Sequence, residues 1–321
     1  CIVEEFHREL DMQKGTLTRS FVCTMDSGVK LKVDALRFVS MDDHETAALK
    51  YSLTVLEGEG EAEIVSSVDA DVHNEDSNYG EQFWDELHRS ADNGVSAIVN
   101  ATRKTDFHVA IAMNNLCMVN GKSISKGEKI ENKSRFISRR CTTQLKSGDK
   151  FTLYKFVAVL SSQNHPREEL ESLAIKKANE ISGFGFEDLL NKHIKAWAVK
   201  WDESDVIING DKAAQQGIRF NIFHLFQTYT GDDPRLNIGP KGFTGEKYGG
   251  STYWDTEAFG LPFYLNTTHQ EVARNLLIYR HNHLKKAIEN AEKLGFKDGA
   301  ALYPMVTMNG EECHNEWEIT F

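Results

Sequence analysis

The sequence predicts a multidomain protein in which antiparallel β-structure is followed by α-helices. In residues 1–162, short runs alternate apolar and polar side chains, which is the period of half-buried strands. After His165 the apolar spacing changes to the three-to-four-residue repeat of helices. We therefore expect an antiparallel β-sandwich over residues 1–162, a helical linker over residues 163–210 and an all-α region over residues 211–321.

Six runs carry the strand pattern, and turn residues such as Asp26-Ser-Gly and Asn120-Gly separate them. The runs are residues 17–24, 29–39, 48–56, 107–113, 129–137 and 151–160. Many short strands with few helical interludes are typical of a β-sandwich. The acidic stretch between Asp69 and Asp92 has no such alternation, and we predict a long loop there.

The helical part begins with two predicted helices, over residues 167–182 and 186–201, with Gly183-Phe-Gly185 between them. A third apolar helical face runs from Ile218 to Phe226. Thr268-His-Gln-Glu271 has the form of a capping box and predicts one continuous helix from there to about Gly295.

Composition limits the classes of partner. The net charge of −11 argues against nucleic acid and against an anionic membrane surface. No apolar run reaches the roughly 18 residues of a membrane span. The 5 cysteines are scattered and form no CxxC pair, which indicates reduced thiols, a cytoplasmic location and no zinc site. Neither end carries a terminal signal, and both look cut from a longer chain.

Two loops between predicted helices combine aromatic side chains with carboxylates, over residues 241–257 and 301–318. In the first loop, Gly245, Gly249 and Gly250 allow close backbone approach to a ligand. Trp254 has a flat face on which a sugar ring can stack, and Asp255 has acceptors for its hydroxyls. The alternatives are that Trp254 is a core anchor and that Asp255 is a helix N-cap.

The glutamates of the second loop could be part of a site or simply a solvated acidic face, which is the usual structure of such acidic runs. These residues are Glu311, Glu312, Glu316 and Glu318. His314 has no standard metal-ligand spacing, so we expect no metal. Phosphate-binding glycine motifs and a GxSxG elbow are absent from the sequence, which argues against nucleotide binding and serine hydrolysis.

At these two loops the chain resembles glycoside hydrolase family 65, and within it the phosphorylases of maltose. The segments that carry the resemblance run from Gly242 to Glu257 and from Ala300 to Phe321, with weaker support from Arg8 to Arg19. The resemblance extends over essentially the whole chain and implies that residues 211–321 are the first part of an (α/α)6 barrel.

The resemblance implies phosphorolysis of maltose to β-D-glucose 1-phosphate and glucose, with inversion at the anomeric carbon. Inorganic phosphate is then a co-substrate, no cofactor is needed, and a homodimer is expected. The general-acid glutamate is expected after Phe321, so we expect no catalytic residue within these residues and no activity from them alone.

By the same resemblance, Trp254 and Asp255 bind the glucosyl unit in subsite −1. The loop that contains His314, Glu316, Trp317 and Glu318 shapes subsite +1. Three alternatives stay open: a related phosphorylase of trehalose or kojibiose, an inverting α-glucosidase, and a non-catalytic carbohydrate-binding fragment.

Overall fold

A computed structural model describes residues 1–73, 82–124, 129–240 and 251–312. These residues form two compact units, and the chain passes from the first to the second between Ala198 and Val199. The domain boundaries expected after residues 162 and 210 stay predictions.

The first unit is built from strands that pair only in antiparallel fashion where the structure describes them. They are β1 (Ile2–Asp11), β2 (Thr16–Thr24), β3 (Lys30–Val39), β4 (Thr46–Glu57), β5 (Glu59–Asp69), β6 (Trp84–Asp92), β7 (Val95–Thr102), β8 (His108–Val119), β9 (Lys122–Ser123), β10 (Lys129–Lys133), β11 (Phe136–Lys146) and β12 (Lys150–Ser161). A large sheet has the order β1-β2-β3-β4-β12-β8-β7-β6, with β9 beside β8, and a small sheet has the order β10-β11-β5.

Helices follow the last strand of the large sheet. A short 3₁₀ turn (Arg167–Glu169) leads into α1 (Leu170–Phe184), α2 (Phe186–Ser204) and α3 (Lys212–Thr228). After β13 (Thr252–Tyr253) come a π-helical segment (Thr256–Gly260), α4 (Leu261–Thr267), α5 (Gln270–Asn282), α6 (Leu284–Lys293) and β14 (Val306–Thr307).

The large sheet of the first unit is covered on both faces. On one face, Ile98 and Met113 pack against Val68 and Ile137 of the small sheet. On the other face, alanines and valines of β7, β8 and β12 pack against the buried face of α1, and a neighbouring cluster joins β3, β4 and β12 to α1 and α2. The predicted antiparallel sandwich, followed by helices, is confirmed.

The predicted strand runs match β2, β3, β4, β8 and β12. The run at residues 129–137 contains β10, the turn at Arg135 with φ +60° and only the start of β11. The prediction of a long loop throughout residues 69–92 is wrong, because Trp84–Asp92 is strand β6. This strand lies at the edge of the large sheet. Its acidic residues form ion pairs, Asp85 with Arg103 and Glu86 with Arg89. In the sequence alone, the same acidic residues are typical of a solvated loop.

The prediction of a capping box at Thr268 is also wrong. The Thr268 hydroxyl donates to the Tyr264 carbonyl at 2.6 Å and so closes the last turn of α4. Helix α5 is preceded by His269, whose side chain makes no capping bond to the described backbone. The expected continuous helix is divided at His283 into α5 and α6.

In the second unit, tyrosines connect the helices. The Tyr264 hydroxyl donates to the Leu225 carbonyl of α3 at 2.9 Å, and the Tyr229 hydroxyl donates to the Val272 carbonyl of α5 at 3.3 Å. Burial raises the pKa of both phenols, so both stay protonated donors. These bonds hold α3, α4 and α5 as the frame of the site described below.

Two buried side chains of helix α2, His193 and Trp197, pack against the turn between β1 and β2. The Met41 amide donates to His193 Nδ1 at 3.0 Å, and His193 Nε2 lies 3.0 Å from the Gly15 carbonyl, to which it donates. Gly15 has φ +66°, and a Cβ there would lie 2.0 Å from Trp197 Nε1. The turn therefore needs both a left-handed backbone and the absence of a side chain.

We predict that Gly15→Ala destabilises the protein more than Gly28→Ala. Both glycines have positive φ, and that conformation costs a side chain about 1–2 kcal/mol. Only Gly15 adds a collision with Trp197, which costs about 1–3 kcal/mol more; a Cβ at Gly28 meets no described atom within 4 Å. Urea unfolding of the two variants measures the difference, and equal midpoints with equal slopes would contradict it.

We predict that His193 makes stability fall in mild acid. Burial lowers the pKa of His193, against the opposing effect of its hydrogen bond to Gly15. The unfolded imidazole titrates near 6.5, so the unfolded state binds more protons there, and stability declines as the pH falls through about 6.5.

His193→Gln keeps an acceptor and a donor without the titration. We expect its free energy of unfolding, measured in urea at pH 7.5 and 5.5, to differ less between the two pH values than that of the wild type. A decline as steep as that of the wild type would show that other groups are responsible.

Candidate functional site

Strands β13 and β14 join the two loops that combine aromatic side chains with carboxylates. Thr252 pairs with Thr307 and Tyr253 pairs with Val306. The Thr252 hydroxyl adds a bond of 2.9 Å to the Thr307 carbonyl. More than 50 residues of chain separate these strands, so the pairing brings the described parts of both loops into one place.

The described part of the second loop is held by its own polar groups. The Gly310 amide donates to Thr307 Oγ1 at 2.7 Å, and Tyr279 of α5 donates its hydroxyl to the Met308 carbonyl at 2.7 Å. The Glu312 carboxylate accepts from the amides of Met305 and Val306, at 3.0 and 3.3 Å. Glu312 therefore holds this loop closed. The alternative in which the glutamates only form a solvated acidic face does not account for Glu312.

Trp254 and Asp255 have neither of the ordinary roles considered for them. The Trp254 side chain is 49% exposed, so it is not a core anchor. Asp255 lies directly before the π-helical segment, has helical φ and ψ, and makes no capping bond to the described backbone. An exposed indole beside a half-buried carboxylate is an arrangement that suits a sugar ring.

The residues on either side of this pair are fixed. Thr256 is buried, and its hydroxyl donates to the Ile238 carbonyl at 2.7 Å. Glu257 accepts from Arg280 Nε at 2.7 Å and from Arg280 Nη2 at 3.1 Å. The same Nη2 also donates to the Tyr253 carbonyl at 2.8 Å.

Asp255 lies in a cleft of about 570 Å³. Helix α3 contributes Asn221 and His224 to the lining of this cleft, and the π-helical segment contributes Phe259. Trp254 is not among the described residues that line it. Burial lowers the pKa of His224, which favours the neutral ring that can both donate and accept a hydrogen bond. The cleft thus combines aromatic walls with a carboxylate, an amide and an imidazole.

Sequence reasoning missed Asn221, His224 and Arg280. A signal existed for two of them: His224 interrupts the apolar run of α3, and Arg280 follows Leu276 by four residues on the buried face of α5. Neither signal separates a functional residue from a structural one by itself.

Other predicted residues lie outside the described part of the chain. These are Gly245, Gly249 and Gly250 of the first loop and His314, Glu316, Trp317 and Glu318 of the second. Within the described ranges, no group of three or more His, Cys, Asp or Glu side chains is arranged to hold a metal ion. No described helix has the length and apolar character needed to cross a membrane.

Comparison with known families identifies both units. Residues 1–199 match the N-terminal domain of glycosyl hydrolase family 65, and residues 219–321 match the central catalytic domain of that family. The chain belongs to glycosyl hydrolase family 65. The cleft, Trp254 and Asp255 all lie in the part that matches the family 65 catalytic domain.

Three curated relatives in this family have different substrates in their names. Maltose phosphorylase of Bacillus subtilis is 43% identical over 320 residues, which are 99% of this chain and 41% of that protein. Alpha,alpha-trehalose phosphorylase of Thermoanaerobacter brockii is 33% identical, over 96% of this chain and 40% of its own. Kojibiose phosphorylase of Caldanaerobacter subterraneus subsp. tengcongensis is 32% identical, over 100% of this chain and 42% of its own.

A solved family 65 structure has the same fold. A putative kojibiose phosphorylase from the human microbiome superposes with a TM-score of 0.85 at 27% identity, over 97% of this chain and 40% of that one. The chain therefore spans about two fifths of the length of the relatives that it matches.

Proposed function

We propose that this chain is part of a disaccharide phosphorylase that cleaves maltose with inorganic phosphate. The products are β-D-glucose 1-phosphate and glucose, formed with inversion. Membership of family 65 supports the reaction class, and the 43% identity to a maltose phosphorylase supports the disaccharide. Inorganic phosphate serves as co-substrate, and the reaction needs no cofactor.

One observation supports a sugar site in this chain: Trp254 is exposed, and the adjacent Asp255 carboxylate makes no helix-capping bond. The indole offers a face to the C–H side of a glucosyl ring, and the carboxylate accepts from its hydroxyls. Charge-assisted hydrogen bonds of this kind are stronger than neutral ones and are directional. We assign these two residues to the glucosyl unit of subsite −1.

The chemistry then divides between binding and proton transfer. Inversion requires an acid on the glycosidic oxygen and a nucleophile on the opposite face of the ring. Phosphate is already an anionic nucleophile, so no carboxylate base is required to activate water. Asp255 orients the ring, and the general acid is a glutamate expected beyond Phe321. His314, Glu316, Trp317 and Glu318 are proposed to shape subsite +1.

A related disaccharide is the second candidate, because trehalose and kojibiose phosphorylases are 33% and 32% identical to this chain. All three substrates carry an α-linked glucosyl unit, and they differ in the glycosidic linkage. Subsite −1 is therefore the shared part, and the residues proposed for subsite +1 distinguish the substrates.

We propose four further properties, of which the barrel and the homodimer follow from the family relationship and the other two from the sequence. They are an (α/α)6 barrel of which residues 211–321 are the first part, a helical linker over residues 163–210, a homodimer and a cytoplasmic location.

We predict that the full-length protein converts maltose and phosphate to β-D-glucose 1-phosphate, and that Asp255→Ala impairs it. Loss of the acceptor costs about 1–3 kcal/mol, or roughly 5- to 150-fold in kcat/KM. Asp202→Ala, an exposed carboxylate on α2, is the matched control and is expected to keep wild-type activity.

The anomeric product is followed by NMR with maltose, trehalose and kojibiose in parallel. Turnover of only trehalose or kojibiose would transfer the proposal to that disaccharide. Free glucose without phosphate consumption would indicate a glucosidase, and wild-type kcat/KM in Asp255→Ala would remove Asp255 from the site.

A further inference from the structure

We propose that Arg280 is the positioning residue for the sugar-binding pair Trp254–Asp255. This inference depends on the proposed function, since it assigns a task to a residue that does not itself touch the sugar. Arg280 lies in the last turn of α5 and is only 8% exposed. Its guanidinium bonds to residues on both sides of the pair, Tyr253 before it and Glu257 after it.

The geometry of these bonds restricts the backbone between them. The planar fork of the guanidinium engages both oxygens of the Glu257 carboxylate, and Nη2 reaches the Tyr253 carbonyl as well. The Tyr253 peptide carbonyl and the Glu257 side chain, with three residues between them, are therefore bonded to one rigid group. Trp254 and Asp255 lie in the bridge between them, with their own side chains left available.

Burial makes this connection strong. Removing one partner would leave a buried charge unpaired, which is strongly destabilising, so the folded state of α5 favours the pairing of Arg280 with Glu257. The position of the pair thereby depends on α5, an element of regular structure, as well as on the loop. Sites supported by regular elements are held more accurately than sites on loops alone.

Lysine cannot replace arginine in this role. A lysine ammonium is a compact charge on a flexible stem and does not engage a carboxylate with a planar two-pronged fork. Arg280→Lys thus preserves the charge and much of the volume while it removes the connection to one flank. This separates positioning from simple charge balance.

Arg219 offers a matched control within the same unit. It too forms a two-pronged pair, with Asp205, at 2.8 and 2.6 Å. That pair is more exposed, at 41% for Arg219 and 31% for Asp205, and both partners lie outside residues 251–257. Arg219→Lys therefore alters the same kind of ion pair without altering the support of Trp254 and Asp255.

The first test is steady-state kinetics of the full-length protein, with the disaccharide that the wild type phosphorolyses. We expect Arg280→Lys to raise the KM for the disaccharide by about tenfold or more, with an unchanged KM for phosphate. Arg219→Lys is expected to leave both values unchanged. A loss of kcat alone, with both KM values kept, would show that Arg280 only sustains the folded fraction and would overturn the proposal.

The second test does not require activity. The fluorescence of Trp254, obtained as the difference between each protein and its Trp254→Phe counterpart, is quenched with acrylamide. We expect the quenching constant to rise in Arg280→Lys and to stay at the wild-type value in Arg219→Lys. If Arg280→Lys does not fold, Glu257→Gln removes the charge of the same pair and gives the same expectation.

The two tests distinguish the possible failures. If the wild type phosphorolyses no disaccharide, the proposed function fails, while the quenching comparison still decides whether Arg280 positions Trp254. Equal quenching constants in the wild type and in both substituted proteins would overturn the positioning role even if maltose is the substrate.

Discussion

The central strands of the large sheet are buried on both faces, and the first unit is arranged around that constraint. In β7, Val95, Ala97 and Val99 face α1, while Ile98 between them faces the small sheet. A sheet with two apolar faces needs a layer on each side, because each exposed apolar face would cost about 25 cal/mol per Å². Helix α1 is thus part of the core of this unit, and α2 follows it onto β3 and β4.

That constraint explains why some strands could be predicted from the sequence and why β7 could not. Strand β3 has more solvent contact, so exposed Lys32 and Arg37 lie beside buried Val33 and Phe38 and reveal the period of two. Strand β7 is buried from Val95 to Ala101 on both faces and has no polar alternation. Strand β1 could not be predicted for the opposite reason, since nearly all of its residues are exposed. Alternation detects a strand only when its two faces differ.

The candidate site was predictable in part. Trp254 and Asp255 could be selected because this Trp-Asp pair follows a glycine-rich stretch, whereas Trp84-Asp85 and Trp201-Asp202 have no such context. Arg280 could not, because a charged residue on the apolar face of a helix does not reveal its partners, and a structural ion pair would give the same pattern. The pairing of β13 with β14 was equally invisible, since two-residue strands carry no periodicity.

The first loop is rich in glycine, which suggests adaptability, yet the described part around Trp254 is held at several points. Tyr253 is paired to β14, Thr256 bonds to the Ile238 carbonyl, and Glu257 bonds to Arg280. A residue that binds a sugar contributes most when its position is set before the ligand arrives, since less ordering entropy is then lost on binding. These restraints favour preorganisation of the subsite proposed for the glucosyl unit, and through Arg280 they connect the Trp254–Asp255 segment to α5.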